Sequence, residues 1–372
     1  MTDFHRTTTM FRQGSRTMPA EYYVSPAIFA EEIERIGTTR WHCVGRAEAI
    51  QRPGDYFLKT VAGEPLIIVR DRQGALRAHV NICRHRGTQI CEKAAGHFSE
   101  TIQCPYHAWT YTTDGRLIGA PHMQDVEGFT KADHGLHQAR IAEWEGFLFV
   151  NLDPDAVDLA EWLAPVTERL ARFHLGELAV GRKIVYDVKS NWKLIYQNYS
   201  ECLHCPTIHP ELSCKMPYTS GANDLVEGPF LGGYMEITEG NDSVTMSGKR
   251  VGPLITDLSA DDQRRAFYYS ILPNFLLSIH PDYVNYYQVW PMSAERTVIE
   301  SEWLFHPSAV ANPEFDPTDA VEMWDLTNRQ DWHITEMSLL GIKSRHYQPG
   351  PYSARESVPA AWDRAYLDMM GR

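Results

Sequence analysis

Short alternating runs of apolar and polar residues, separated by turn residues, dominate the chain from Trp41 to Asp155. WHCVGRA, DYFLKTVAG, PLIIVRDRQG, LRAHVN, WTYTTDGRL and FLFVNLDPD each have the length and period of a β-strand or hairpin, and the Asp114-Gly115 pair is a turn signal. Residues 40–152 therefore read as a small all-β domain. Ahead of it, SPAIFAEEIERIG predicts a short amphipathic helix with Ser25 as N-cap, Pro26 at its first position and Gly37 as C-cap. Residues 1–20 read as a mobile arm.

The pattern changes after residue 152. Asp158 to Leu175 has helical spacing, and RKIVYDVKSNWKLIYQNYSECLHC runs from a strand into a helix. Strand signals return in GYMEITEG, SVTMSG, AFYYSILP, NFLLSIHP, YVNYYQVWPM and TVIESEWLFHP, which predicts an antiparallel sheet, and Asp319 to about Gly341 reads as one long helix. The fold class is α+β. Three parts are expected: an N-terminal arm and helix over 1–39, the all-β domain over 40–152, and a larger domain over 153–372 in which helices flank an antiparallel sheet.

A chain of 372 residues exceeds the usual size of one hydrophobic core, so two lobes or one lobe carrying an inserted domain are expected. Apolar residues make up 43% and charged residues 22%, an ordinary globular balance, while 18 Tyr and 10 Trp make the chain rich in aromatic rings. The net charge of -13, with no run of Lys and Arg, argues against a nucleic-acid surface and permits a cationic substrate. No apolar run approaches the roughly 18 residues a membrane span needs. The start lacks the apolar core of a secretory signal, so a cytosolic location is expected. Seven cysteines, mostly beside histidines, then read as metal ligands before disulfides.

Two Cys-His pairs, Cys83 with His85 and Cys104 with His107, lie in loops between strands. Zinc fingers usually pair like ligands, whereas each loop here offers one thiolate and one imidazole. A Rieske [2Fe-2S] cluster needs two cysteines on one iron and two histidines on the other. The order Cys-His, Cys-His suits that arrangement, with Gly87 and Pro105 supplying tight turns; structural zinc is the competing reading.

The second cluster of candidates is E-x2-H-x4-H in YSECLHCPTIHPEL: Glu201, His204 and His209. Two histidines and a carboxylate on one face hold iron in non-heme Fe(II) oxygenases. On a regular helix His204 and His209 would stand about 140° apart. A break at Pro206 is therefore expected to swing His209 back. Asp331 falls on the less polar face of the long helix, where a buried carboxylate needs a partner, and a metal would serve. A zinc set of Cys202, His204, Cys205 and Cys214 is the alternative.

CRHRG followed by CPYHAWTY, with the second set downstream and NRQDW around Asp331, resembles the oxygenase (α) subunits of Rieske non-heme iron oxygenases from about Trp41 to Tyr352. That resemblance implies a small Rieske domain inserted in a helix-grip, START-like catalytic domain. It implies a [2Fe-2S] cluster on Cys83, His85, Cys104 and His107, and mononuclear Fe(II) on His204, His209 and Asp331. It also implies a homotrimer and a separate NAD(P)H-dependent flavin/iron-sulfur reductase, since the chain has no dinucleotide fingerprint or plant-type ferredoxin run. Many members carry Asp where Glu201 stands, as an inter-subunit electron bridge. Here the bridge would join His204 to His107 of a neighbouring subunit. Glu occurs there in relatives resembling the carnitine, glycine betaine and stachydrine oxygenases, which hydroxylate an N-methyl group and release formaldehyde.

The expected activity is hydroxylation of a small organic substrate with O2, a quaternary ammonium compound undergoing N-demethylation. An aromatic-ring hydroxylating dioxygenase is the runner-up, and a Rieske electron carrier or iron-dependent sensor the non-enzyme reading. Asn198 is a candidate for lining the iron pocket and equally an ordinary polar helix residue. Tyr268, Phe275, Tyr286, Tyr287 and Trp290 offer material for an aromatic cage around a cation, while the same alternation places many of them in an ordinary sheet core.

Overall fold

The computed structural model describes residues 4–372, so the first three residues of the expected arm lie outside the described residues. The chain divides into two compact units, Ile36–Trp162 and a second built from the N-terminal stretch to Arg35 together with Leu163–Arg372. Among the described residues no helix is long and apolar enough to cross a membrane.

The Ile36–Trp162 unit is all β. A seven-stranded sheet runs in the order His42–Arg46, Phe147–Asn151, Gln138–Trp144, Leu76–Val80, Glu64–Arg70, Asp55–Val61 and Ala95–His97. A three-stranded sheet comprises Thr101–Gln103, Thr110–Thr112 and Leu117–Gly119. The Asp-Gly signal forms the turn between the last two strands, where Gly115 has φ +92° and a Cβ would stand 2.7 Å from the His79 ring. Only glycine meets both conditions there. Ile67, Val69, Ile102, Trp109, Tyr111 and Leu117 form a core in which the thiols of Cys83 and Cys104 are also buried.

The larger unit is organised by an antiparallel eight-stranded sheet. Its order is His5–Arg6, Ala222–Leu225, Phe230–Glu236, Arg265–Ile271, Phe275–Ile279, Tyr283–Ser293, Arg296–Phe305 and Ala179–Val188. Three helices matter for the site: α1 (Trp192–Tyr199), α2 (Thr318–Ile342) and α3 (Ser357–Met369), with α1 packed against both others. Asn191 caps α1 by accepting from Lys193 N at 2.9 Å, and its amide donates to the carbonyls of Tyr23 and Ala294. The Lys193 ammonium is buried against Glu32 Oε1 at 2.5 Å, and Trp192 Nε1 and Tyr366 Oη donate to the same carboxylate. Burial pulls the Lys193 pKa down to about 8 despite Glu32. Removing one partner of such a pair leaves an uncompensated charge, at a cost of about 3–5 kcal/mol. The root of α1 is thereby anchored, and its far end carries Asn198, with Glu201 just beyond the helix.

Three expectations on local structure are corrected. The arm is tied down over its described part: His5–Arg6 pairs as an edge strand with Ala222–Asn223, and Arg16 donates to Pro349 O. The predicted strand SVTMSG is a series of bends. Thr245 Oγ1 donates locally to Lys249 O, and Ser243 Oγ donates to the distant Asp282; such side-chain bonds compete with a ladder in a short polar segment. Finally, Pro206 does not break a helix. α1 ends at Tyr199, and Pro206 lies in the first turn of the short helix Cys205–Ile208, where its missing N–H costs nothing. The chain breaks at His209 (φ -122°, ψ 69°), ahead of Pro210, because the residue before a proline is pushed out of helical geometry.

Candidate metal centres and catalytic cavity

In the all-β unit, two hairpin-like loops present the first four candidates. Cys83 N donates to Thr88 O and Gly87 N to Cys83 O, closing the first loop, in which Gly87 has φ +76°. The second repeats the design: Cys104 N donates to Trp109 O and Ala108 N to Cys104 O, with Ala108 at φ +57°. The rings of His85 and His107 meet edge to face at 4.7 Å, and the Cys104 thiol lies within hydrogen-bonding reach of Cys83. Trp109 stacks on His85 at 4.9 Å, fixing its plane. His85 Nδ1 is buried without a hydrogen-bond partner, a costly condition that a metal ligated at that atom would relieve. Two thiols and two imidazoles, paired by type, fit a Rieske cluster.

The second centre lies in the larger unit. His204 Nε2 is 3.3 Å and His209 Nε2 2.8 Å from the same Asp331 oxygen, Oδ1. Each histidine is gripped from behind. His204 Nδ1 donates to Glu201 Oε1 at 2.5 Å and His209 Nδ1 to Gln330 Oε1 at 2.7 Å. With the proton of each neutral imidazole on Nδ1, both Nε2 lone pairs face a carboxylate oxygen. Acceptors converging in this way require a cation among them, so the donor set fits a divalent metal, with Glu201 and Gln330 orienting the ligands. The same acids can also be met by a proton: burial opposes charging of His204, but Asp331 and Glu201 outweigh it and raise its pKa to about 10, and Asp331, despite its own burial, is held below the usual carboxylate range by the two histidines. A divalent metal would take the place of that proton.

Cys202 and Cys205 form a disulfide, which corrects the reading of the cysteines as thiols in a reducing setting. Cys205 Sγ lies 3.8 Å from His204 Nε2, yet its sulfur is bonded to Cys202, and Cys214 is exposed. A zinc set of Cys202, His204, Cys205 and Cys214 is thereby overturned; Asp331 faces both histidines instead.

This centre opens into a cavity of about 230 Å³ lined by residues of α1, α2 and the sheet. Asn198 lines it, as do Tyr268 and Tyr287. Tyr199 and Trp324, which the sequence reading missed as cage candidates, complete an aromatic wall: ring centroids are 6.2 Å apart for Tyr199 and Tyr268, 6.0 Å for Tyr199 and Tyr287, and 6.1 Å for Tyr268 and Trp324. Burial holds the hydroxyls of Tyr199, Tyr268 and Tyr287 above the usual phenol range, so the wall is neutral. Phe275 and Tyr286 belong to the other face of the sheet, packed on each other with Tyr286 bonded to Glu302, and Trp290 is not in the lining. Alternation split the five candidates, because neighbouring residues of a strand point to opposite faces. Trp324 was legible in principle, seven residues before Asp331 and so on one helical face; Gln330 carried no such signal.

The fold and the two centres define a Rieske-type oxygenase: a cluster-binding β domain joined to a catalytic domain with an iron-type triad. Residues 40–130 match the Rieske [2Fe-2S] domain and residues 175–372 the ring hydroxylating alpha subunit (catalytic domain), and the chain belongs to that family. It is therefore an oxidoreductase that carries a Rieske cluster and a mononuclear iron. As an oxygenase subunit it uses O2, a small substrate and electrons from a separate reductase. The chain is 32% identical to the glycine betaine monooxygenase oxygenase subunit of Chromohalobacter salexigens, over 92% of its own length and 83% of the relative's. It is 29% identical to the carnitine monooxygenase oxygenase subunit of Acinetobacter baumannii, over 89% and 86%. The crystal structure of the quaternary ammonium Rieske monooxygenase CntA in complex with an inhibitor superposes with a TM-score of 0.81 at 25% identity, covering 95% of both chains.

Proposed function

We propose that the chain is the terminal oxygenase of a two-component N-demethylase acting on a quaternary ammonium compound. The observation that carries this reading is the convergence of His204, His209 and Asp331 on a cavity walled by neutral aromatic rings. Such rings attract a permanent cation through their π faces, with about 0.5–2 kcal/mol per contact. Two of the relatives named above act on glycine betaine and carnitine, both of which carry a trimethylammonium group, which supports the same substrate class.

In this reading Cys83 and Cys104 hold one iron of the cluster and His85 and His107 the other, while His204, His209 and Asp331 hold the mononuclear iron. When bound, these groups supply one-electron transfer and the activation of O2. The protein's own residues do the rest. Glu201 and Gln330 hold the Nδ1 protons and so keep both Nε2 atoms available as ligands. The aromatic wall orients an N-methyl group toward the triad and excludes water from it. Asn198 lines the same space as a polar positioning group. Three chains assemble as a ring, in which Glu201 joins His204 of one subunit to His107 of the next, and a flavin/iron-sulfur reductase delivers electrons from NAD(P)H.

The net reaction places one atom of O2 in a C–H bond of the N-methyl group to give N–CH2OH, with the C–N bond intact; the other atom leaves as water with two electrons and two protons. The carbinol then loses formaldehyde. The C–N pair stays on nitrogen, which becomes a tertiary amine, and the hydroxyl proton is released.

The test combines the loaded oxygenase with a competent reductase, NADH and trimethylammonium compounds, and measures formaldehyde and the tertiary amine. One formaldehyde per NADH is expected. Turnover of an aromatic acid to a hydroxylated ring, without formaldehyde from any N-methyl compound, would establish the alternative of a ring-hydroxylating dioxygenase.

A further inference from the structure

The charged residues that line the catalytic cavity fall into two sets. Glu201, His204, His209 and Asp331 surround the iron-type centre, and the remaining two are Arg6 and Arg355. No ion-pair partner faces either guanidinium among the described residues. Glu356, next to Arg355, is engaged elsewhere, closing a capping box with Ser353. The fold brings the two arginines to one rim. Arg6 sits on the edge strand, registered against Ala222 by backbone pairing. Arg355 sits on a single helical turn, Ala354–Glu356, that packs on the turn Thr7–Met10 following Arg6. A hydrogen bond of 2.7 Å from Ser357 Oγ to Thr7 O ties the two segments, and Arg355 lies over the ring of Tyr218, another lining residue, at 5.2 Å.

Two like charges on one rim repel, and in a protein of net charge -13 carboxylates to neutralise them are abundant. Among the described residues no carboxylate pairs with either arginine, which leaves both guanidiniums open to an anion, and the planar fork of arginine matches a carboxylate. The cavity thus carries a cation-attracting aromatic wall and an anion-attracting rim.

We propose that Arg6 and Arg355 recognise the carboxylate of a zwitterionic substrate. The site then selects a trimethylammonium carboxylate over a trimethylammonium alcohol or amide. This rests on the N-demethylase reading above and adds to it the chemistry of the substrate's other end.

The experiment uses the cluster- and iron-loaded oxygenase with its reductase and four probes: glycine betaine, a four-carbon trimethylammonium carboxylate, the carboxamide of glycine betaine, and choline. Binding is measured by calorimetry and turnover by formaldehyde, for the wild-type chain and for Arg6→Gln, Arg355→Gln and the charge-retaining Arg6→Lys and Arg355→Lys. The wild type is expected to favour a carboxylate over the carboxamide and choline. Each Gln variant should reduce that preference about 10–100-fold, the loss expected for a charged hydrogen bond, acting on Kd and KM while kcat is spared. The Lys variants should recover part of it. A wild type that favours choline or the carboxamide overturns the proposal while leaving N-demethylation standing. So does a preference that no variant alters, or an equal loss for all probes. A wild type that binds no trimethylammonium compound removes both readings.

Discussion

His209 Nε2 lies 2.8 Å from Asp331 Oδ1, although the two residues are 122 positions apart in the chain. The same oxygen faces His204 Nε2, so one carboxylate on α2 completes a triad whose other members sit on the irregular segment after α1.

Removing that carboxylate tests the assignment directly. A [2Fe-2S] cluster plus one iron corresponds to about three irons and two acid-labile sulfides per chain. Asp331→Ala is expected to retain both sulfides and the red-brown absorption while iron falls to about two per chain, with turnover abolished. Elemental analysis of anaerobically purified protein decides it. Iron remaining at about three would remove Asp331 from the ligand set.

Glu201 grips His204 and, in the proposed assembly, connects it to a neighbouring cluster. Glu201→Gln should leave iron and sulfide content nearly intact but lower multiple-turnover activity by about 10–100-fold or more. Stopped-flow oxidation of the pre-reduced cluster, with O2 and substrate present, should slow in parallel. A cluster that reoxidises at the wild-type rate would assign Glu201 to ligand orientation alone.

Tyr268 and Trp324 line the cavity, their rings meeting edge to face at 6.1 Å. Replacing either by Leu should raise KM for a quaternary ammonium substrate by about 2–30-fold, the range a cation–π contact spans. An uncharged isostere with a tert-butyl group should bind the variants and the wild type alike, because the loss is electrostatic rather than steric.

Asp363 on α3 supplies a pH test of stability. Burial raises its pKa to about 7, against donation from Gln197 Nε2 and Tyr352 Oη and the charges of Arg364 and Lys193. Because the folded carboxyl holds its proton more tightly than the unfolded one, its contribution to stability is fully present below about pH 4 and is lost as pH rises through 7. Asp363→Asn should therefore melt at a temperature that gains on the wild type by about 2–5 °C between pH 5 and 8. Parallel melting curves across that range would contradict the shifted pKa.

The two metal signatures were legible because their candidate ligands are close in sequence: Cys83 with His85, Cys104 with His107, and His204 with His209. Ligand spacing is local chemistry, and it survives without knowledge of the fold. The period-two strands and the long helix were legible for the same reason, since periodicity reports which face each element buries. The helix break was misplaced at Pro206 because a proline is as much at home in a first turn as at a break, and only the backbone around His209 tells which.

Sequence by itself thus determined the kind of metal chemistry, the α+β class and the family. Tertiary structure alone decided what surrounds the candidate iron site: Gln330 behind His209, the disulfide that takes Cys205 out of the donor set, and the choice of Tyr268 and Tyr287 over Phe275 and Tyr286. It also brought Arg6 and Arg355 to one rim from opposite ends of the chain. Each of these depends on the packing of segments far apart in sequence. Spacing cannot encode such meetings, because the contact exists only once the sheet and its helices have closed around a common cavity.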